Sequence, residues 1–363
     1  MLGRALKFIR EIESYGYKAY IVGGFVRDHI LGLDSNDIDI CTNATPKEII
    51  NIFEDSCLPN EDYGSVTVVK YSTRFEITTF REEINYIDNR KPSKIKYVDD
   101  LEKDLLRRDF TINSLCMDKN GKIIDLLDAR EDLMDRVIRT IGNAEDRFEE
   151  DVLRILRAIR FATVLDFELD DSVIQAIVNK KSLLKNLSRN RKKEELDKIF
   201  GSSNYIKGID ILINLGLDKE LELYNLNKAK KADNLIGIWS ILNVLDKYPF
   251  SSSERELITK VNKVMDKDNL DPFVLYEYGL YVNSVAGQIK GIDKKEITEA
   301  YNKLPIHKKS EVDITTEDIL RVLNKKPGKY LSDIYNNLVH DILYGLVGNN
   351  KVAIEDYIRE NYS

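Results

Sequence analysis

The apolar positions change their period part-way along the chain. Up to about residue 140, short alternating runs are interleaved with amphipathic segments, whereas from about residue 165 onward essentially only the helical period persists. Residues 1–16 (MLGRALKFIREIESYG) predict an amphipathic helix, 19–22 (AYIV) a short buried strand, and 25–31 (FVRDHIL), after two glycines, a second helix. In NDIDI (36–40), alternation puts Asp37 and Asp39 on one face of a strand and Ile38 on the other. At TPKEIINIF (45–53), Thr45 can serve as N-cap, Pro46 as the first helical residue and Glu48 as the capping-box partner. Residues 64–71 (GSVTVVKY) and 74–80 (RFEITTF) are alternating β-branched runs, and Ser72 and Thr73 between them predict a hairpin. The charged stretch 80–100 follows neither period and contains a proline, which predicts a mobile loop. Residues 121–142 predict a last strand and a helix.

The stretch 149–163 (EEDVLRILRAIRFAT) predicts one continuous helix. At about 100° per residue, Val152, Ile155, Leu156, Ile159 and Ala162 fall on one side, and Asp151, Arg154, Arg157 and Arg160 spiral over the other. Further helical segments, such as SVIQAIVNKKSLLKNL, KKEELDKIFG, LIGIWSILNVLDKY and LSDIYNNLVHDILYGLV, are joined by short polar turns. The fold class is therefore α+β: a head (1–140) with a small mixed β-sheet and helices, then an all-α neck (141–200), body (201–258) and tail (259–363).

Composition narrows the chemistry. With 363 residues, 43% of them apolar, the chain can build several cores. No apolar run approaches the roughly 20 residues of a membrane span, and the first helix has no signal-peptide cleavage pattern, so no membrane partner and a cytoplasmic location are expected. Cys41, Cys57 and Cys116 have no metal-ligand spacing, and an odd number of thiols suits a reducing compartment. Three histidines cannot supply a multi-histidine metal site, which excludes a phosphohydrolase reading of His340-Asp341. A net charge of −7 does not advertise nucleic-acid binding. Net charge says little about where charge sits, however, and basic clusters at 90–96, 185–193 and 228–231 are either solvated faces or RNA contacts. Nothing in the pattern sets an oligomeric state.

The candidate chemistry begins at the first strand. Strand, two glycines, helix is a cradle for phosphate: backbone N–H groups approach a polyphosphate closely, the helix N-terminus adds positive potential, and Arg27 sits in the first turn. Asp37 and Asp39 on one face repel each other, and Mg²⁺ bound by carboxylates and substrate phosphates relieves that repulsion. Glu76, on the second strand of the expected hairpin, is a possible third carboxylate or an edge-strand charge. Arg107 and Arg108 suit a triphosphate, because a planar guanidinium grips phosphate with two N–H bonds. Arg154, Arg157 and Arg160 call for an anion, either a nearby acidic residue or an incoming nucleotide. Cytosine and adenine each present an amine donor beside a ring-nitrogen acceptor, to which an Asp–Arg pair is complementary. Uracil and guanine present a carbonyl where that amine would be.

GGFVRD, Leu31-Gly32 and DID at 37–39, RRDFTIN at 107–113 and EDVLR at 150–154 together resemble the class II tRNA nucleotidyltransferase and bacterial poly(A) polymerase family, within the polymerase-beta-like nucleotidyltransferases. Ser114 stands where alanine is common in that family. The match covers roughly residues 1–200 through linked motifs and the remainder more loosely. It implies that Asp37 and Asp39 are catalytic and hold two Mg²⁺ ions, that Gly24, Arg27 and Arg108 contact the nucleotide, and that Asp151 and Arg154 read its base with support from Arg157 and Arg160. It also implies that a flexible segment at 80–100 reorganises the pocket. Thr79, Phe80, Arg81, Tyr86, Asp88, Arg90 and Pro92 fit that segment, which is typically shortened in members that add only C. The activity implied is addition of C, C and A to tRNA from CTP and ATP, the helical domains holding the acceptor and T arms by shape and phosphate contacts. An enzyme adding only A, a poly(A) polymerase and a catalytically silent RNA-binding protein of the same fold are the alternatives.

Overall fold

The computed structural model describes residues 1–35, 37–60, 64–87 and 91–362. Their contacts divide into two compact units, Met1–Tyr224 and Asn225–Ser363. The division falls inside the segment expected as body, and a helix, Ser252–Val264, runs through position 258.

The first unit opens with α1 (Leu2–Ser14), β1 (Ala19–Val22), α2 (Gly24–Leu31), β2 (Ile38–Thr42) and α3 (Pro46–Ile52), in the places the pattern predicts. Thr45 caps α3 through the full capping box with Glu48, and Pro46 occupies its first turn. Strands β3 (Cys57–Asn60), β4 (Ser65–Lys70) and β5 (Thr73–Thr79) follow. The tight turn between the last two is Tyr71 and Ser72, both at φ +52°, one position earlier than expected. With β8 (Cys116–Met117) and β9 (Ile123–Ile124) they form a seven-stranded mixed sheet ordered β3-β4-β5-β2-β1-β8-β9, in which only β2 and β5 pair in parallel. Helix α1 seals one face by burying Phe8, Ile9 and Ile12, and the Phe8 ring stacks on Phe75 of β5 at 4.2 Å.

The stretch expected as a loop is instead a hairpin. Strands β6 (Arg81–Ile87) and β7 (Lys91–Tyr97) pair antiparallel, with Arg81 opposite Tyr97 and Glu82 opposite Lys96. The ribbon joins no larger sheet among the described residues, and its described inward side chains are ions, Arg81 paired with Glu83 and Glu83 with Arg107, so cross-strand pairing carries it without a hydrophobic period. Asp88 and Arg90 lie outside the described residues.

Helices α4 (Leu101–Leu106) and α5 (Ala129–Met134) are followed by α6 (Ala144–Glu150), α7 (Leu153–Val164), α8 (Asp171–Lys180), α9 (Arg189–Phe200) and α10 (Tyr205–Asn214). The single helix expected over 149–163 is thus two. Asp151 breaks it with extended backbone (φ −140°, ψ 104°), and its Oδ1 accepts the Leu153 N–H at 3.1 Å. A short carboxylate that satisfies the free N–H groups of a helix start is favoured at such a break and disfavoured inside a helix. The predicted packing face is otherwise as expected: Val152, Ile155, Leu156, Ile159 and Ala162 are all buried.

The second unit is helical. Its core gathers Leu275, Ile297, Ile319, Leu338 and Ile354, among others, from helices Pro272–Lys290, Lys294–Asn302, Thr316–Leu323, Tyr330–Leu343 and Lys351–Tyr362. Among the described residues no helix is long and apolar enough to cross a membrane.

Candidate active site

Between β1 and α2 the chain turns at Gly23, whose φ of +77° and ψ of −139° exclude an ordinary side chain. A Cβ there would also stand 3.4 Å from Asp39 Oδ2 and 3.8 Å from Arg108 Nη1. The glycine turn is therefore pressed against one acid and one arginine of the site. Strand register explains how the acid arrives: Asp39 lies opposite Val22 of β1 and level with Glu76 of β5. Ile38 and Ile40 point into the core, so Asp39 projects to the other side.

A cavity of about 520 Å³ opens here. All nine residues singled out from the sequence line it: Gly24, Arg27, Asp37, Asp39, Arg108, Asp151, Arg154, Arg157 and Arg160. Glu76 does not. It is exposed, stands 3.6 Å from Arg74, and influences the site as a negative neighbour of Asp39.

Burial pushes the Asp39 carboxyl up, Glu76 and Asp37 push the same way, and Arg108 offsets only part, so the group sits above the usual carboxylate range. Such a pair of hard oxygen anions on one wall fits a divalent cation. Among the described residues no group of three or more potential ligands occurs, so two carboxylates would leave most of its coordination sphere to substrate and water.

The arginines are held by acids that the sequence reading did not single out. Asp104 of α4, fully buried, accepts from Arg107 Nε and Nη2 at 2.9 and 2.7 Å and from Arg108 Nη2 at 3.1 Å. Burial alone would raise the Asp104 carboxyl; Arg108 and Arg107 outweigh it and hold the group low. Arg108 Nε is buried yet makes no hydrogen bond, an unsatisfied donor at the cavity wall. Arg27 donates from Nη1 to Asn113 Oδ1 at 2.8 Å and pairs with Asp28. Arg157 Nε donates to Asp109 Oδ2 at 2.7 Å, and Arg160 Nε to Glu195 Oε2 of α9 at 2.6 Å. Both guanidiniums, with that of Arg27, surround the Phe161 ring at 4.1–5.6 Å. Burial would raise the Asp109 carboxyl too, but Arg157 holds it at about 2.

Asp151 and Arg154 share the cavity and are joined through the backbone, the Arg154 N–H donating to the Asp151 carbonyl at 3.0 Å, while their side chains find other partners. Arg154 Nη1 donates to Glu150 Oε2 at 2.6 Å and to the Arg147 carbonyl at 3.0 Å, while Asp151 Oδ2 accepts from Arg191 Nη2 at 3.4 Å. Glu150 is the nearby acid that partners Arg154; Asp109 and Glu195 partner Arg157 and Arg160. Spacing offered a signal for one of these residues: Asp104, in the last turns of α4, stands four before Arg108 just past the helix end.

The comparisons with known proteins agree with this architecture. Residues 19–139 match the profile of the "Poly A polymerase head domain", 166–222 that of the "Probable RNA and SrmB- binding site of polymerase A", and 237–358 that of tRNA nucleotidyltransferase domain 2. The chain is thus a nucleotidyltransferase of the poly(A) polymerase head class. It is 36% identical to the CCA-adding enzyme of Ligilactobacillus salivarius (strain UCC118), over 97% of this chain and 95% of that one. To the CCA-adding enzyme of Bacillus subtilis (strain 168) it is 32% identical, over 98% and 97%. The crystal structure of Bacillus stearothermophilus CCA-adding enzyme in complex with CTP superposes with a TM-score of 0.86 at 28% identity, covering 98% of this chain and 96% of that one. The chain belongs to the CCA-adding enzyme family.

Proposed function

We propose that this chain completes tRNA 3′ ends, adding C, C and A from CTP and ATP without a nucleic-acid template. One observation carries the reading: Asp39 of β2, Asp37 just before that strand, and the Asp151–Arg154 segment of the helical neck open onto the same nucleotide-sized cavity. A templating segment outside that cavity could not touch the base of a nucleotide bound at the acids.

In this reading the triphosphate lies over Gly23 and Gly24. Arg27 and Arg108 carry its charge, the Arg108 guanidinium reaching the Gly23 turn through Nη1. Asp37 and Asp39 hold Mg²⁺, which when bound supplies the positive charge that neutralises the triphosphate and favours ionisation of the tRNA 3′-hydroxyl. The 3′-oxygen releases its proton to water and bonds to the α-phosphorus as the bond from that phosphorus to the β-bridging oxygen breaks. Pyrophosphate departs toward the two arginines.

The incoming base takes over the groups that hold the selecting pair. Cytosine or adenine donates its amine to Asp151 in place of Arg191 and accepts from Arg154, which keeps its bond to the Arg147 carbonyl as an anchor. Arg157 and Arg160, each fixed by its own acid, support that edge. A carbonyl facing Asp151 leaves the carboxylate unpaired, a difference of roughly 1–3 kcal/mol.

We assign residues 1–140 to the catalytic head, 141–200 to the neck, 201–258 to the body and 259–363 to a tRNA-holding tail, acting in the cytoplasm on acceptor and T arms. Purified protein is incubated with tRNA ending at its discriminator base and with CTP and ATP, singly and together. Addition of C, C and A followed by arrest is expected. Addition that waits for a supplied CC end indicates an A-adding enzyme, a long A tail a poly(A) polymerase, and no product a silent binder; each refutes the proposal.

A further inference from the structure

The end of α4 leaves backbone carbonyls without helical partners just where the chain enters the RRD segment. Two guanidiniums from farther along the chain take them up. Arg147 Nη2 donates to the Leu106 carbonyl and, at 3.5 Å, to that of Arg108, while Arg154 Nη2 donates to the Arg107 carbonyl at 3.5 Å. Three consecutive carbonyls are thus gripped across 39–47 residues of chain. Arg147 also donates from Nε to the Ile141 carbonyl at 2.7 Å and from Nη1 to Glu150 Oε2 at 2.8 Å, the same oxygen that Arg154 Nη1 reaches at 2.6 Å. Its own carbonyl accepts from Arg154 Nη1 at 3.0 Å.

Arg147 therefore holds Arg154 twice, through a shared carboxylate and through its own backbone, and holds the RRD segment with the far end of the same side chain. It does not line the nucleotide cavity. It belongs to none of the motifs singled out in the sequence, and it lies between the matched segments 19–139 and 166–222. A guanidinium offers its N–H donors in one rigid plane, so partners on its different nitrogens are held at fixed angles to one another. A group that reads a base edge has to be kept within about 0.5 Å of its productive place to discriminate fully. Glu150 by itself, with a side chain 29% exposed, is a poor anchor for that purpose.

We infer that Arg147 is a positioning residue for base choice. It registers Arg154 against the backbone of Arg107 and Arg108, so that the triphosphate and the base edge of one nucleotide meet their arginines together. The assignment rests on the reading of the chain as an enzyme that extends tRNA and selects the base through Asp151 and Arg154. A residue that never meets the nucleotide then sets how sharply cytosine and adenine are told from uracil and guanine, because Arg154 can only discriminate from the place in which Arg147 fixes it.

The test uses the full chain, Arg147→Met and Arg147→Lys. Competition between CTP and UTP on tRNA ending at its discriminator base gives the ratio of their kcat/KM values, fluorescence anisotropy the affinity for that tRNA, and urea unfolding the stability. In Arg147→Met the preference for CTP should fall by at least about 5-fold, out of the roughly 5- to 150-fold that a base edge supplies, with a raised KM for CTP and native tRNA affinity. Arg147→Lys keeps the charge but puts one ammonium in place of the fork, and should recover stability without recovering the full preference. A residue that served stability alone would slow CTP and UTP alike. An unchanged preference in Arg147→Met therefore overturns the assignment, as does an unchanged preference in Arg147→Lys where the methionine variant does not fold, and failure of both to fold. Native protein that fails to extend tRNA defeats the functional reading itself; native protein that prefers CTP to UTP while the variants keep that preference defeats only this role.

Discussion

Replacing Asp109 by asparagine tests the electrostatics of the cavity wall most directly. The carboxylate joins the RRD segment to the selecting helix: Oδ2 accepts from Arg157 Nε at 2.7 Å and Oδ1 from the Phe110 N–H at 2.9 Å. Asparagine keeps the shape and can still accept from Phe110, but its amide then faces Arg157 donor to donor. The ordinary aspartate value of 3.8 falls to about 2 in the folded chain. At about 1.4 kcal/mol per pH unit this is worth roughly 2.5 kcal/mol of stability at neutral pH. The folded value is the depressed one, so the contribution is fully present above about pH 4 and is lost as pH falls toward 2. At pH 3 about half of it should be left. Urea unfolding of native protein and Asp109→Asn, followed by circular dichroism at pH 7, 5 and 3, reads the difference, because every other titrating group cancels between the two chains. A gap of about 2–3 kcal/mol at pH 7 and 5 that shrinks at pH 3 is expected. A gap below about 0.5 kcal/mol, or one that is the same at all three pH values, refutes the reasoning.

The remaining expectations concern catalysis. Asp39→Ala should abolish incorporation of both C and A while tRNA binding, measured by anisotropy, persists; loss of binding would make Asp39 a structural residue. Asp151→Ala should admit UTP or GTP, relaxing base choice by roughly 5- to 150-fold in competition assays, and unchanged base choice would count against a templating role. Gly23→Ala forces a side chain onto φ +77° and ψ −139°, at a cost of about 1–3 kcal/mol, and should raise KM for both nucleotides; an unchanged KM would mean that the turn does not touch the triphosphate.

What the sequence determined by itself is local. The run 19–22, the two glycines after it, the alternation that places Asp37 and Asp39 together and the capping box at Thr45 are each written within a few neighbouring residues, where backbone sterics and short-range hydrogen bonds decide the outcome. The linked motifs also pointed to every residue proposed here to meet the nucleotide. What only the tertiary structure decided is which charge answers which. Arg157 finds Asp109 across 48 residues, Arg160 finds Glu195 across 35, and Asp151 meets Arg191 across 40. Such partners are chosen when α9 and the RRD segment pack beside α7, because long charged side chains settle on whichever counter-ion the packed core leaves within reach. The same reasoning accounts for the two misread elements. The ribbon β6–β7 packs inward through ion-paired side chains such as Arg81 and Glu83 rather than an apolar face, and the helix expected over 149–163 yields at Asp151 because a carboxylate there caps the next helix. Hydrophobic periodicity records apolar burial, and neither feature is written in it.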